Sequence, residues 1–235
     1  MNWKERIKGW EKKYPICTQE YRDQKDFVNP YVFMEELSKH LDDDAIIIPD
    51  SGGTLIWCMQ GLNLKKGQTL FTSFNHSPMG YSLPAGIGAW YANPDRQIVC
   101  IMGDGACNMN IQELATVAYN KIPLKMFVMD NKEYGIINQT LRIWLGGNEA
   151  GSSPESGLAF PDLSKIAQAY GHYIYKLRDN DSLSELNYIM NNPFAMFTTV
   201  NIKKGQEMLP KLTAGHSLED LYPYLSKEEF EKNKL

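Results

Sequence analysis

Between Gly103 and Gly135 stand residues whose types and spacing could do chemistry together: Gly103-Asp104-Gly105, then Asn131, then Tyr134-Gly135. Asp104 offers a carboxylate and Asn131, 27 residues downstream, a neutral amide oxygen. Both are hard donors, and magnesium favours a few protein oxygens completed by phosphate oxygens and water. Gly103 and Gly105 let a backbone turn sharply and approach an anion closely. A helix starting within a few residues would face that anion with its unpaired amides and positive dipole end. A Gly-Asp-Gly alone is a common turn. The second half of the pattern gives it weight, because the two halves together suit a metal-bound diphosphate.

Such a pair works only if the chain carries both donors to one place. Gln97 to Met102 is a nearly continuous apolar run, as is Leu124 to Met129, and both read as strands buried on two faces. Gly103 follows the first and Asp130-Asn131 the second, so both donors fall at strand carboxyl ends, where open α/β sheets bind ligands. Further strands are expected at Ala45 to Ile48, Gln68 to Thr72, near Tyr173 and at Ala195 to Ile202. Helices are expected at Pro30 to Leu41, from the turn after Ile48 to about Gln60, and at Leu83 to Tyr91. Three more follow at Ile111 to Tyr119, Leu163 to Tyr170 and Leu183 to Met190. This alternation predicts an α/β fold, a parallel sheet with helices on both faces and right-handed crossovers. Residues 1–29 read as a linker or arm, 30–205 as the domain and 206–235 as a C-terminal surface tail. Trp3 and Trp10, seven apart, can share a helical face that packs on a neighbouring domain or caps this one.

At 235 residues, 43% apolar and 22% charged, the chain can bury a substantial core. A net charge of −4 and the lack of a basic, aromatic-laced run speak against nucleic acid. Cys17, Cys58, Cys100 and Cys107 form no CxxC pair, which suggests a reducing compartment. The first residues lack an apolar signal core and no stretch is long enough to span a membrane, so a cytoplasmic protein is expected.

From about Trp3 to Gly171 the sequence resembles the C-terminal, diphosphate-binding domain of acetolactate synthase and pyruvate oxidase-type thiamine diphosphate (ThDP) enzymes. The resemblance rests on Ser77-Pro78-Met79-Gly80-Tyr81-Ser82-Leu83-Pro84-Ala85, on Gly103-Asp104-Gly105-Ala106 and on Met109-Asn110-Ile111-Gln112-Glu113-Leu114. Trp10 and Tyr14-Pro15 resemble the family's linker into this domain. The resemblance implies that Asp104 and Asn131 bind Mg2+ through side chains and Glu133 through its carbonyl. It implies a diphosphate lining of Gly52, Gly53, Thr54, Gly103, Gly105 and Ala106, with Tyr134 beside the cofactor. Met79 would be the wedge that bends the cofactor, and the Ser77 carbonyl would accept a hydrogen bond from its amino group. Core filling is the plainer reading of a methionine. The chemistry implied is decarboxylation of a 2-oxo acid, with pyruvate the first candidate, and transfer of the acyl carbanion to a carbonyl acceptor. The family's catalytic glutamate comes from a pyrimidine-binding domain or subunit, so a homo- or hetero-oligomer is implied. Whether FAD accompanies ThDP is left open, as is whether Met1 is a natural start.

Departures from the family pattern carry information too. His76 stands where a small or apolar residue is usual and could shuttle protons near the aminopyrimidine; a loop histidine bonded to backbone is the plainer reading. Thr140 replaces a tryptophan that shapes the acceptor pocket in acetohydroxyacid synthases. A wider, more polar acceptor is therefore expected, while Ile136 and Ile137 suit a small donor. Cys107, near a helix start, has either a lowered thiol pKa or a packing role. The tail's Tyr222-Pro223-Tyr224-Leu225 reads as an aromatic clamp, and Leu218 to Pro223 resembles the ending of polysaccharide-cluster relatives, hinting at a keto-sugar acceptor. Two rivals remain: a subunit of a two-subunit 2-oxo acid decarboxylase, which would release aldehyde, and a non-catalytic scaffold of the same fold.

Overall fold

The computed structural model describes residues 2–234. Helices α1 (Trp3–Lys13), α2 (Gln19–Asp23) and α3 (Pro30–His40) precede strand β1 (Ile46–Pro49). Next come α4 (Gly53–Gly61), β2 (Thr69–Leu70), α5 (Ser82–Ala92) and β3 (Ile98–Gly103). Helices α6 (Asp104–Met109) and α7 (Glu113–Tyr119) lead to β4 (Lys125–Asp130), followed by α8 (Gly135–Trp144) and α9 (Leu163–Ala169). The last elements are β5 (Tyr173–Leu177), α10 (Leu186–Asn191), β6 (Met196–Asn201) and α11 (Lys227–Asn233).

All pairings in the six-stranded sheet are parallel, and the strand order is β2-β1-β3-β4-β6-β5. This is the α/β architecture expected from the alternation of strands and helices. Successive side chains leave a strand on opposite faces, so one strand feeds two cores. Val99 and Ile101 of β3, with Phe127 and Met129 of β4, join α3, α4 and α10. Ile98, Cys100 and Met102, with Met126 and Val128, join α5, α7 and α9. Phe33 of α3 meets Phe127 edge-on, ring centroids 5.2 Å apart. Gly86 lets α5 lie close against β3: a Cβ there would lie 2.3 Å from the Cys100 sulfur.

Several elements differ from expectation. The strand expected over Gln68 to Thr72 shrinks to two residues, because the Gln68 amide closes a turn on the Lys65 carbonyl and its side chain bonds the Asp42 carbonyl. The helix expected at Ile111 to Tyr119 is present as α7 and starts two residues later, at Glu113, and a separate short helix, α6, precedes it from Asp104. Helix α8 was not anticipated.

Both ends of the chain fold onto the domain or onto each other. Trp10 donates from Nε1 to Asn233 Oδ1 at 2.8 Å, and Tyr14 OH donates to Glu229 Oε1 at 2.6 Å, clasping α1 to α11. Trp3 meets Trp10 edge-on at 5.8 Å, so the expected shared face exists and is partly capped by the chain's own last helix. Tyr21 stacks on Tyr31 of α3 at 5.4 Å, and Asn180 holds the carbonyls of Tyr21 and Arg22. The division at residues 29/30 and 205/206 thus stands as our proposal, with contacts crossing both points.

Candidate cofactor site

The chain runs from β1 outward to β2 and then returns to place β3 on β1's other side. At this reversal the carboxyl ends of β1, β3 and β4 border a cavity of about 300 Å3. Fifteen residues singled out in the sequence line it, Gly135, Ile136 and Ile137 among them. Gly52, Gly53 and Thr54 come from the β1–α4 turn; Gly103, Asp104, Gly105 and Ala106 come from the β3–α6 junction. Asn131, Glu133 and Tyr134 come from the β4–α8 turn, and Ser77 and Met79 from the loop before α5.

Local sequence explains each placement. Gly52 has φ +80, a conformation open to glycine, and caps α4 without any side-chain hydrogen bond. The first amides of α4 therefore border the cavity with no protein side chain satisfying them. Gly105 lies under the Tyr134 ring: a Cβ there would sit 2.2 Å from Tyr134 Cε1 and 3.1 Å from Met79 Cε. Only glycine fits that approach. The Met79 loop is pinned on its C-terminal side. Asp50, fully buried after β1, accepts from the amides of Gly80 at 3.0 Å and Ser82 at 2.8 Å. Asn110 Nδ2 donates to the Gly80 carbonyl at 2.7 Å. Ser77 itself takes φ +42, an uncommon conformation for a residue with a side chain.

Asp104 is 2% exposed, and its two oxygens accept from the amides of Gly105 at 2.6 Å and Lys132 at 2.7 Å. Burial first, and then the neighbouring Asp130 carboxylate, push its pKa up to about 8 against the pull of those two amides. Asn131 Oδ1 accepts from the Glu133 amide at 3.3 Å. The Glu133 carboxylate turns the other way, to the Gly205 amide at 2.6 Å and Asn138 Nδ2 at 2.9 Å. No cluster of three or more His, Cys, Asp or Glu side chains suited to a metal occurs among the described residues. The donor set is one carboxylate, one amide oxygen and main-chain carbonyls beside unpaired helix amides. That chemistry fits a hard cation whose remaining ligands are phosphate oxygens and water.

Other candidates lie elsewhere. His76 is exposed and is not among the residues lining the cavity, because the loop directs Ser77 and Met79 there instead. His172 is buried with Nε2 on the Leu114 carbonyl at 2.9 Å. His216 stacks on Tyr224 at 4.3 Å and bonds Asp220 at 2.6 Å, so the tail aromatics clamp a histidine of the tail itself. The Cys107 thiol is driven up to about 12 by burial, which settles its alternatives in favour of packing. Thr140 is exposed and returns its hydroxyl to the Ile136 carbonyl at 2.8 Å.

Sequence reasoning missed Asp50 and the tail's share of the wall. Gln206 and Met208 line the cavity, and the segment carrying them is held by side chains from three elements. Gln139 of α8 accepts from the Met208 amide at 2.9 Å and donates to its carbonyl at 3.4 Å. Tyr31 OH accepts from the Leu209 amide at 2.7 Å, and Gln60 donates to the Pro210 carbonyl at 3.2 Å. A Cβ on Gly53 would meet the Met208 sulfur at 2.9 Å, so helix start and tail touch. An acidic residue directly after an apolar strand was a signal for Asp50; nothing local marks Gln206 or Met208.

Comparison with known proteins bears on this geometry. The family model described as thiamine pyrophosphate enzyme, C-terminal TPP binding domain, matches residues 50–196. The acetolactate synthase large subunit of Cyanidium caldarium is 31% identical over 216 residues, 92% of this chain and 36% of the relative. The acetolactate synthase isozyme 1 large subunit of Escherichia coli (strain K12) is 28% identical over 214 residues, 91% of this chain and 37% of the relative. The mitochondrial acetolactate synthase catalytic subunit of Aspergillus candidus is 29% identical over 231 residues, 97% of this chain and 33% of the relative. The chain thus spans about a third of the length of the curated relatives it matches. No helix among the described residues is long and apolar enough to cross a membrane.

Proposed function

Since this chain belongs to the thiamine pyrophosphate enzymes, through their C-terminal TPP-binding domain, we propose that it is the diphosphate-binding part of a ThDP- and Mg2+-dependent 2-oxo acid decarboxylase and carboligase. The observation that carries this reading is the convergence of Asp104, Asn131 and Glu133 with the Gly52–Thr54 turn and Met79 around one cavity. ThDP, when bound, supplies an acidic thiazolium carbon that adds to a keto carbon and accepts the electrons released as carbon dioxide leaves.

The chain's own residues position and shield. Asp104, Asn131 and the Glu133 carbonyl hold Mg2+, while amides at the α4 start meet the diphosphate. Met79, half-exposed and held by the Asp50 and Asn110 anchors, presses on the cofactor from one side of the cavity. The Ser77 carbonyl orients the aminopyrimidine. Ile136 gives the donor an apolar wall, with Ile137 beside it at the mouth. Thr140 leaves the acceptor side wider than a tryptophan would, so the acceptor is a larger or more polar carbonyl than pyruvate. Gln206 and Met208 close the wall beside it.

The glutamate that drives proton transfer comes from a pyrimidine-binding domain. The exposed apolar rim, with Met79 36% and Ile137 48% accessible, supports a covering partner at the mouth. The test is product analysis with pyruvate, a carbonyl acceptor and that domain supplied. A ligated product supports the carboligase; free aldehyde as the sole product shows a simple decarboxylase, and no turnover with full cofactor binding shows a scaffold.

A further inference from the structure

The turn after β4 divides two spaces. Asn131 and Glu133 line the cofactor cavity, whereas Asp130 and Lys132 line a separate crevice of about 430 Å3. This crevice lies over the carboxyl ends of β4, β6 and β5, the second place where strand order reverses.

Its hydrogen-bonding inventory is unbalanced. Both carboxylates of the lining lie beside cations: Asp130 Oδ1 is 2.8 Å from Lys132 Nζ, although it accepts no hydrogen bond, and Asp162 accepts from the Lys165 amide at 3.3 Å while lying 3.5 Å from Lys165 Nζ. The donors are less engaged. Ser164 Oγ and Thr199 Oγ1, 5% and 8% exposed, sit 3.4 Å apart in the crevice wall. One hydroxyl can donate to the other, which leaves one O–H over. Lys176 and Arg178 stand at the mouth, and neither ammonium nor guanidinium has an ion-pair or hydrogen-bond partner among the described residues; Arg178 is bonded through its main chain alone. The surplus is therefore a guanidinium and an ammonium two residues apart at the end of β5, and one buried hydroxyl from the α9–β6 pair.

We propose that this crevice binds a phosphoryl group, separately from the cofactor site. Three donor groups, one of them a forked guanidinium, match the three terminal oxygens of a phosphate better than the two of a carboxylate, and arginine meets such oxygens bidentately. The crevice is larger than the anion, with Phe160 on its wall, so it has room for an organic group esterified to the phosphate.

The test is amide-resolved NMR on the full chain, titrated first with inorganic phosphate and then with ribose 5-phosphate, against sodium chloride of matched ionic strength. Saturable shifts at Ser164 and Arg178 are expected. They should weaken at least about tenfold in Lys176→Gln/Arg178→Gln, whose altered side chains are exposed and whose thermal melt serves as the folding control. Shifts at Gly53 and Gly105, which report the cofactor cavity, should be the same in both proteins. The ratio of the two affinities identifies free phosphate or a phosphate ester as the ligand. Absent shifts at Ser164 and Arg178, shifts equal in the double variant, or shifts reproduced by chloride would overturn the proposal.

Discussion

Replacing Asp104 by Asn should change the linkage to protons and metal more than it changes the fold. In the metal-free chain the Asp104 carboxyl holds its proton up to about 8, because burial and the Asp130 carboxylate outweigh two amide donors. An unfolded aspartate loses that proton near 3.8. Between those values the folded state binds a proton that the unfolded state has released, so stability falls as pH rises through the window and levels off above it. The slope from this one site is at most about 1.4 kcal/mol per pH unit. The carboxamide of Asp104→Asn does not ionise, so that slope disappears. The variant forfeits one of two amide bonds, since its NH2 must face either the Gly105 or the Lys132 amide, a loss of about 1–3 kcal/mol. It is also spared the proton uptake that costs wild type progressively more through that window, so it should gain on wild type as pH rises and lie above it at pH 9. Mg2+ needs the ionised carboxylate, so wild-type cation affinity should climb about tenfold per unit below pH 8, with proton release. Urea unfolding in EDTA at pH 6, 7, 8 and 9 reads the first effect, and calorimetry in buffers of different ionisation enthalpy reads the second. A wild-type stability that is flat from pH 6 to 8, or a variant that keeps the wild-type slope, refutes the reasoning.

Gln139→Ala should cost about 1–3 kcal/mol, because it strands the buried amide and carbonyl of Met208; denaturation midpoints measure it, and limited proteolysis should cut the tail sooner. Gly86→Ala should destabilise by about 1–3 kcal/mol, since the new methyl meets a fully buried Cys100 sulfur; a thermal melt unchanged from wild type would show that α5 can move away. Met79→Ala should leave stability within about 0.5 kcal/mol, because the side chain is 36% exposed, yet weaken ThDP binding in fluorescence titration.

The sheet was legible because its central strands are buried on two faces and read as unbroken apolar runs. Those same runs fixed where Asp104 and Asn131 must emerge, so their meeting at one cavity was legible from strand ends, while the metal role proposed for them came from the family resemblance. Helix α8 was not legible: its apolar Ile137 and Trp144 are exposed in this chain, so its pattern is not that of a core stripe. Gln206 and Met208 were hidden for another reason. Their place depends on hydrogen bonds from residues as far away as Gln139, and no local period encodes such a contact. His76 had the chemistry without the geometry, since the φ of its neighbour Ser77 turns the loop so that Met79 faces inward and His76 faces water.

The most direct test of the central claim is calorimetric titration of ThDP into the purified chain, first with Mg2+ and then with EDTA, alongside Asp104→Asn. Saturable, Mg2+-dependent binding by wild type that vanishes in EDTA and in the variant is the predicted result. Equal binding with and without the metal, or an Asp104→Asn chain that binds as wild type does, would contradict the assignment of this cavity to a magnesium-held diphosphate.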